Sequence, residues 1–198
     1  MRRAALSCLA VALGIALASD ADARQAVNLR AEVLSQFQKR VDAYLELREK
    51  ASAGVKKLEE TKNPEEVTAR QQALGRAIKA ARPHARRGEI FFPEVAALVR
   101  EAVREDFRRR PAAERSAAFA SVPNAPKLGI NDHYPSAVPL ATVPPRLLAQ
   151  LPRLPEELEY RFLGARLILR DVDANLVVDF LDNALPPGSG QGGSGEHW

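Results

Sequence analysis

The chain has 198 residues, of which 46% are hydrophobic and 27% are charged, and its formal net charge is +4. This composition is typical of a globular protein and excludes a disordered one. The chain has one cysteine, Cys8, which excludes a disulfide within the chain and a metal cluster held by several thiolates.

Residues 1–23 have the pattern of a secretory signal peptide. Two arginines precede an uncharged run at residues 4–18, and Ala-Asp-Ala at residues 21–23 is the small-x-small pattern that signal peptidase recognises. The run is shorter than the roughly 20 apolar residues that span a bilayer. A lipoprotein would require a cysteine after the run, whereas Cys8 lies inside it. We therefore predict cleavage after Ala23, a periplasmic or secreted chain, and no transmembrane segment after cleavage; the alternative is a retained membrane anchor.

Three stretches that follow have the apolar periodicity of helices. The first covers residues 27–58, with Arg48 inside its apolar stripe; the second begins at Asn63-Pro64, a capping residue and a first-turn proline, and ends before Pro83. Because the link between them is short, we predict an antiparallel hairpin, and the length of the first helix favours pairing with the second helix or, as a coiled coil, with another chain. The third begins at Pro93, and a short helix follows at residues 112–120. The predicted buried positions are Leu34, Phe37, Val41, Tyr44, Ala51, Val55 and Leu58, then Val67, Gln71, Leu74, Ile78 and Ala81, then Val95, Leu98, Val99, Ala102, Val103 and Phe107.

Basic residues are concentrated in the first part of the chain. Residues 24–120 contain 21 Lys and Arg against 14 Asp and Glu, whereas residues 121–198 contain 6 against 9. On an exported protein, such a surface could make weak contact with an anionic envelope surface or with the acidic half of the same chain; the alternative is an ordinary solvated surface. Aromatic residues are too few and scattered for a stacking platform, so we expect no nucleic acid partner. The arginines predicted to form this surface are Arg86, Arg87, Arg100, Arg104 and Arg108.

Residues 122–155 contain eight of the fourteen prolines, which excludes regular helix and central strand. We predict an extended arm lying across the helices, with at most one or two helical turns at residues 145–151. Its apolar side chains indicate that it packs against the rest of the protein rather than forming a flexible linker.

Residues 156–185 change to the pattern of β-strands. Segments 159–163 and 166–172 alternate apolar and polar residues, segment 176–181 is rich in strand formers, and turn residues separate them. This order predicts a three-stranded antiparallel meander, with Tyr160, Phe162, Leu167 and Leu169 facing the core. Residues 186–198 are rich in Gly and Ser and predict a flexible tail. The predicted fold class is therefore α+β, with a helical region at 24–121, the Pro-rich arm at 122–155 and the meander at 156–185.

The C-terminal strands resemble the end of a group of uncharacterised exported bacterial proteins. The similar residues are YRFLG at 160–164 and DVDANLVVDF at 171–180, and GEIFFPEVA at 88–96 is similar to another recurring stretch of that group. This resemblance implies export and a shared architecture but no catalytic residue. The strand, glycine, strand, turn, strand order is also faintly similar to the small meander of RcnB-type periplasmic proteins linked to metal homeostasis, although this chain has no histidine cluster.

The sequence contains one place where an acid, an imidazole and a phenol are adjacent, at Asp132, His133 and Tyr134. Adjacent side chains of an extended chain point to opposite sides, so a turn before Pro135 explains them equally. His84 lies in a basic connector and His197 in the tail. No serine lies in a Gly-x-Ser-x-Gly or Ser-x-x-Lys motif, and the spacing of Asp171, Asp173, Asp179 and Asp182 does not follow the EF-hand calcium loop.

From these patterns we assign no catalytic, cofactor-binding or metal-binding residue, and we expect no cofactor. The predicted function is a non-catalytic binding or assembly role in the cell envelope, with a protein partner or self-association. The alternative is a small exported hydrolase whose site is assembled from distant residues, with Asp132 and His133 as its best candidates. A pocket that brings these two together with a serine or carboxylate would favour the hydrolase, and an apolar groove would favour binding.

Overall fold

The computed structural model describes residues 7–56, 63–117, 126–135, 137–139 and 141–185. This part of the chain has the predicted α+β fold, but its antiparallel sheet has four strands rather than three, in the order β1-β2-β3-β4. The helices are α1 (Ser7–Ser52), α2 (Pro64–Ala81), α3 (Pro93–Arg109), α4 (Ala112–Ala117) and α5 (Pro145–Leu148). The strands are β1 (Ala141–Thr142), β2 (Leu158–Leu163), β3 (Arg166–Asp171) and β4 (Leu176–Leu181).

The helices follow their sequence signals closely, with differences at both ends of α1, which begins at Ser7 rather than at residue 27. The side chain of Asn63 accepts a hydrogen bond from the Glu65 amide at 3.0 Å, and Pro64 occupies the first turn of α2, as predicted. α1 ends at Ser52 instead of continuing to residue 58, because the chain turns at residues 53–54. Glycine at position 54 favours this turn over continued helix, and Leu58 lies outside the described residues.

One face of the sheet packs against the helices, as predicted. Tyr160, Phe162, Leu167 and Leu169 are buried in one apolar cluster with residues of α1, α2 and α3. The helical residues at the centre of this cluster are Phe37, Val41, Leu74, Ile78, Val95, Val99 and Val103. The meander therefore shares its main core with the helices.

The Pro-rich arm docks, but its first half lies mainly on the sheet rather than across the helices, which it meets at Asn131 beside Arg82 and at His133 beside Gly75. Tyr134 is buried against the opposite face of the sheet, with Ile168, Val177 and Phe180, and the partly buried Ile130 packs beside it. The physical reason is that β4 is buried along its whole length, so both of its faces need cover. The second half of the arm does reach the helical side, where Val143, Leu147 and Leu151 join the main core.

The arm also pairs with both edges of the sheet. Along β4, the Asn131 amide donates to the Val177 carbonyl at 2.8 Å, and the Tyr134 amide donates to the Asn175 carbonyl at 2.9 Å. At the other edge, β1 pairs with the end of β2. Sequence reasoning missed β1 because it is only two residues long and lies between prolines, a context that edge strands tolerate.

In the described part of the chain, no helix combines the length and the apolar character needed to cross a bilayer.

Candidate functional site

Asp132, His133 and Tyr134 have separate structural surroundings. The Asp132 carboxylate accepts a hydrogen bond from the Gly129 amide at 2.7 Å, which closes a turn in its own loop. The exposed His133 ring lies so close to α2 that a Cβ at Gly75 would be 2.3 Å from its Cε1. Tyr134 is buried and donates its hydroxyl hydrogen to the Pro139 carbonyl at 2.9 Å. Among the described residues, no nucleophile and no second carboxylate lies beside Asp132 and His133. Ser121 and Ser136 lie outside the described residues.

The four aspartates of β3, β4 and the turns that follow these strands have two kinds of surroundings. Asp171 and Asp179 are fully buried, whereas Asp173 and Asp182 form ion pairs with arginines nearer the surface. Within the described ranges, no group of three or more His, Cys, Asp or Glu side chains is placed to hold a metal ion. We therefore interpret the two buried aspartates as structural.

Asp171 ties the sheet to α1 through side chains. Its carboxylate accepts hydrogen bonds from the Tyr44 hydroxyl at 2.9 Å, from Arg48 Nε at 2.7 Å and from the Ala174 amide at 2.8 Å. Burial and then the Asp171 charge raise the pKa of Tyr44 well above its usual value, so its hydroxyl remains a donor. This contact explains why an arginine lies within the apolar stripe of α1.

Asp179 ties β4 to the connector between α2 and α3 through backbone groups alone. Its carboxylate accepts hydrogen bonds from the amides of Gly88, Ile90, Phe91 and Phe180 at 2.8 to 2.9 Å. Gly88 has a φ of 85°, a conformation that favours glycine. Burial raises the pKa of Asp179, and the four amide donors offset part of that increase.

The predicted basic surface on α3 is largely neutralised by neighbouring acids. Arg104 pairs with Glu101 at 2.5 Å, and Arg108 pairs with Glu105. Arg87 pairs with Asp182, whose carbonyl also accepts a hydrogen bond from Arg100. These contacts do not support an anionic partner for this face, although solvent-exposed pairs of this kind are individually weak.

A groove of about 430 Å³ lies beside the first half of β2. β1 pairs only with Phe162 and Arg161, so β2 continues past β1 at residues 158–160, and the chain from α5 to β2 forms the facing wall. Side chains from both faces of the sheet reach its edge, which gives the groove a mixed lining. Its apolar residues are Val143, Leu148, Pro152, Leu154, Leu158 and Tyr160, and its other lining residues are Thr142, Arg153, Glu159 and Arg161.

The walls of the groove are held together by hydrogen bonds. The buried Tyr160 hydroxyl donates to the Pro152 carbonyl at 2.9 Å, and the Leu158 amide donates to the Pro155 carbonyl at 3.1 Å. Burial raises the pKa of Tyr160, so this hydroxyl keeps its proton. Both bonds join β2 to the segment before it, so they hold the two walls of the groove together.

Three charged side chains line the groove, namely Arg153, Glu159 and Arg161. Glu159 is shared between Arg161 and Arg170, each at 2.5 Å. Burial alone would raise the pKa of Glu159, but hydrogen bonds and charge from these two arginines outweigh burial and lower it. Arg161 Nε is buried and has no hydrogen-bond partner among the described residues. Arg153 is exposed, and none of the described acidic side chains forms an ion pair with it.

A second concave surface of about 290 Å³ adjoins the groove. It lies between α1 and residues 150–153, and it shares Pro152 and Arg153 with the groove. On the α1 side it is lined by Leu34, Phe37 and Gln38, together with Arg30. Arg153 therefore lines both concave surfaces.

Sequence reasoning identified none of the groove residues as functional. They come from three separate segments, and their spacing matches no motif. The signal that could have indicated the groove was indirect. Leu148 is an apolar residue on the exposed side of the four-residue helix α5. No family model, curated protein or solved structure matches this chain, so its function has to be inferred from its own residues.

Proposed function

We propose that this chain is an exported cell-envelope protein with a non-catalytic role, and that it binds an apolar ligand in the groove beside β2. The supporting observation is the groove itself, a concave surface with six apolar lining residues. Leu148 lines it and is 49% exposed. A single exposed leucine is ordinary on a protein surface, but this one belongs to a concave apolar lining. Ligand sites are commonly concave and mainly apolar, with a few polar groups at defined positions.

The charged side chains of the groove favour binding over hydrolysis. Glu159 is ionised and held by two arginines, whereas an effective general base has a pKa near the working pH. Asp132 and His133, the candidates for a hydrolase, do not line the groove. The groove therefore offers positioning groups but no activated nucleophile.

Export is proposed from the pattern of residues 1–23. Recovery of the chain from the periplasm or medium with Arg24 as its first residue would support it. Recovery from the cytoplasm with an intact Met1 would contradict it.

The binding role is tested with a neutral apolar dye, N-phenyl-1-naphthylamine, whose fluorescence increases in an apolar site. We expect saturable binding to the folded protein. Leu148→Asn should weaken it about five- to tenfold, since half of a leucine side chain becomes buried by the ligand. Val27→Asn is the matched control, because Val27 is 67% exposed on α1 and does not line the groove.

Equal effects of the two substitutions, or no binding at all, would contradict the proposed site. Circular dichroism of both variants should match that of the parent protein, because each change is made at an exposed position.

A further inference from the structure

Residues 186–198 lie outside the described part of the chain, and their sequence carries one large apolar side chain. The segment is PPGSGQGGSGEHW, in which Gly and Ser predominate, and Trp198 is the only tryptophan of the chain. Gly- and Ser-rich segments act as flexible linkers, whereas a tryptophan buries about 150–250 Å² of surface when it finds a site. The sequence therefore predicts an aromatic anchor on a tether.

The point where this segment leaves the described chain is fixed within reach of the groove. The Ala184 and Leu185 amides donate to the Ala165 carbonyl at 2.9 and 3.3 Å, in the turn between β2 and β3. The groove residues Arg161 and Leu158 precede Ala165 by four and seven positions, which is about 14 to 24 Å at about 3.4 Å per residue. A Gly-rich segment of the length of residues 186–198 has a root-mean-square span of about 20 Å.

This match between tether and distance favours the groove of the same chain over that of another copy. A linker gives its highest effective concentration when its root-mean-square length equals the distance that it has to cover, and this concentration reaches the millimolar range for short flexible linkers. A second copy at micromolar concentration competes poorly with such a tethered group.

The groove is complementary to the anchor in its apolar lining and in its charge. Leu148 lines the groove and is half exposed, so an aromatic ring can cover it. Arg153 also lines the groove, is exposed, and forms no ion pair with a described acidic side chain. Residues 186–198 contain one acid, Glu196, and no lysine or arginine. Glu196 is two residues from Trp198, about 7 Å in an extended chain, so both side chains can reach the same groove.

We propose that Trp198 occupies the groove beside β2 of its own chain when no ligand is bound, with Glu196 beside Arg153. The tail is then a built-in competitor, and an apolar ligand has to displace it before binding. This contact uses the groove of the proposed function, but it does not depend on the existence of a ligand.

The fluorescence of Trp198 tests the contact directly, because the chain beginning at Arg24 contains no other tryptophan. Quenching by acrylamide measures how exposed the ring is. We expect Leu148→Asn to increase the quenching constant about twofold, since it places a polar group against the ring. Val27→Asn is the matched control and should leave the quenching constant unchanged, because Val27 is exposed on α1 and does not line the groove.

Charge substitutions test the second contact in the same way. Arg153→Gln and Glu196→Gln should each increase quenching less than Leu148→Asn does, because exposed ion pairs are weak. The double variant should be quenched no more than either single variant. Arg146→Gln is the control, since Arg146 is exposed on α5 and does not line the groove.

Dye binding measures the competition. A tail that occupies about half to nine-tenths of the grooves weakens the apparent affinity for N-phenyl-1-naphthylamine by about two- to tenfold. Trp198→Ala should therefore strengthen dye binding by this factor. Gln191→Ala, which changes the same segment but keeps the anchor, should not change it.

A quenching constant that is the same in the parent protein and in Leu148→Asn would overturn the proposal, and so would unchanged dye affinity in Trp198→Ala. Quenching that increases on dilution of the protein would overturn it in favour of the tail of a second copy. Because quenching requires no ligand, failure of the dye to bind both the parent and Trp198→Ala would remove the proposed ligand-binding role, while a ring that only Leu148→Asn exposes would still support the tail contact.

Discussion

Asp171 and Asp179 lie on adjacent strands and both join the sheet to the helical region, but they do so through different chemistry. Asp171 is bound by the side chains of Tyr44 and Arg48 together with one backbone amide. Asp179 is bound by four backbone amides and by no described side chain. A side-chain contact can rearrange when one partner changes, whereas backbone amides fixed by a loop cannot turn away. The two contacts should therefore respond differently to the same substitution.

The largest effect is expected for Asp179→Asn. Each Asp179 oxygen accepts from two amides, so an asparagine NH₂ group would face two N–H donors and leave both without an acceptor. At about 1–3 kcal/mol for each buried group left unsatisfied, the free energy of unfolding should fall by about 2–6 kcal/mol. Urea unfolding measures this loss.

The control for this substitution is Asp182→Asn. Asp182 lies just after the same strand, but its side chain is partly exposed and pairs with arginines at the surface. Its loss should cost about 1 kcal/mol or less. Similar costs for the two substitutions would show that the amide cradle around Asp179 contributes little.

A smaller effect is expected for Asp171→Asn. The remaining carbonyl oxygen can still accept one or two of the three hydrogen bonds, and Arg48 keeps its contact with Asp173 at 2.5 Å. We expect a loss of about 1.5–3 kcal/mol, the range for a hydrogen bond to a charged group. Asp173→Asn, at a side chain that is 53% exposed, is the matched control and should cost less. A cost for Asp171→Asn above that of Asp179→Asn would reverse the comparison.

The smallest effect expected is a difference in pH dependence. Burial raises the pKa of Asp179, so the folded protein binds this proton more tightly than the unfolded chain, where the pKa is about 3.9. The contribution of Asp179 to the free energy of unfolding therefore increases as the pH falls through the folded-state pKa, and it is complete below about pH 4. Glu159 acts in the opposite direction, because its lowered pKa gives stability that is lost on acidification.

The Asp179 contribution is isolated by comparing the parent protein with Asp179→Asn at pH 7 and at about pH 4, near the unfolded-state pKa. We expect the difference in their free energies of unfolding to grow on acidification, since Glu159 is common to both proteins and cancels. A difference that shrinks at the lower pH would contradict the assigned direction of the pKa change.

The two aspartates also show what the sequence could predict. Arg48 in the apolar stripe of α1 was a visible irregularity, and its explanation is Asp171. The amides around Asp179 carry no side-chain signature, so no residue type in the sequence indicates them. Local signals such as Asn63-Pro64 and the alternation in β2 depend on neighbouring residues, and these predictions were confirmed.

Predictions of which segments pack together, when those segments are far apart in sequence, were less successful. The apolar residues of the arm indicated docking, but their spacing contains no information on which face they cover, and Tyr134 covers the sheet. The groove depends in the same way on contacts between residues far apart in sequence, such as Arg161 of β2 beside Thr142 of β1. The predicted partner, self-association and export stay predictions.

The pairing of the arm with β4 restricts how copies of this chain could assemble. An unpaired strand edge is a template on which a second sheet can add, but residues 131–134 already pair with the Val177 amide and with the carbonyls of Asn175 and Val177, at the start of the β4 edge. Two sheets could join along this part of the edge only if the arm first detached from both the edge and the face that Tyr134 covers. Self-association without such detachment would therefore use other surfaces. One of these is residues 24–32 of α1, where Val27 and Leu29 are exposed.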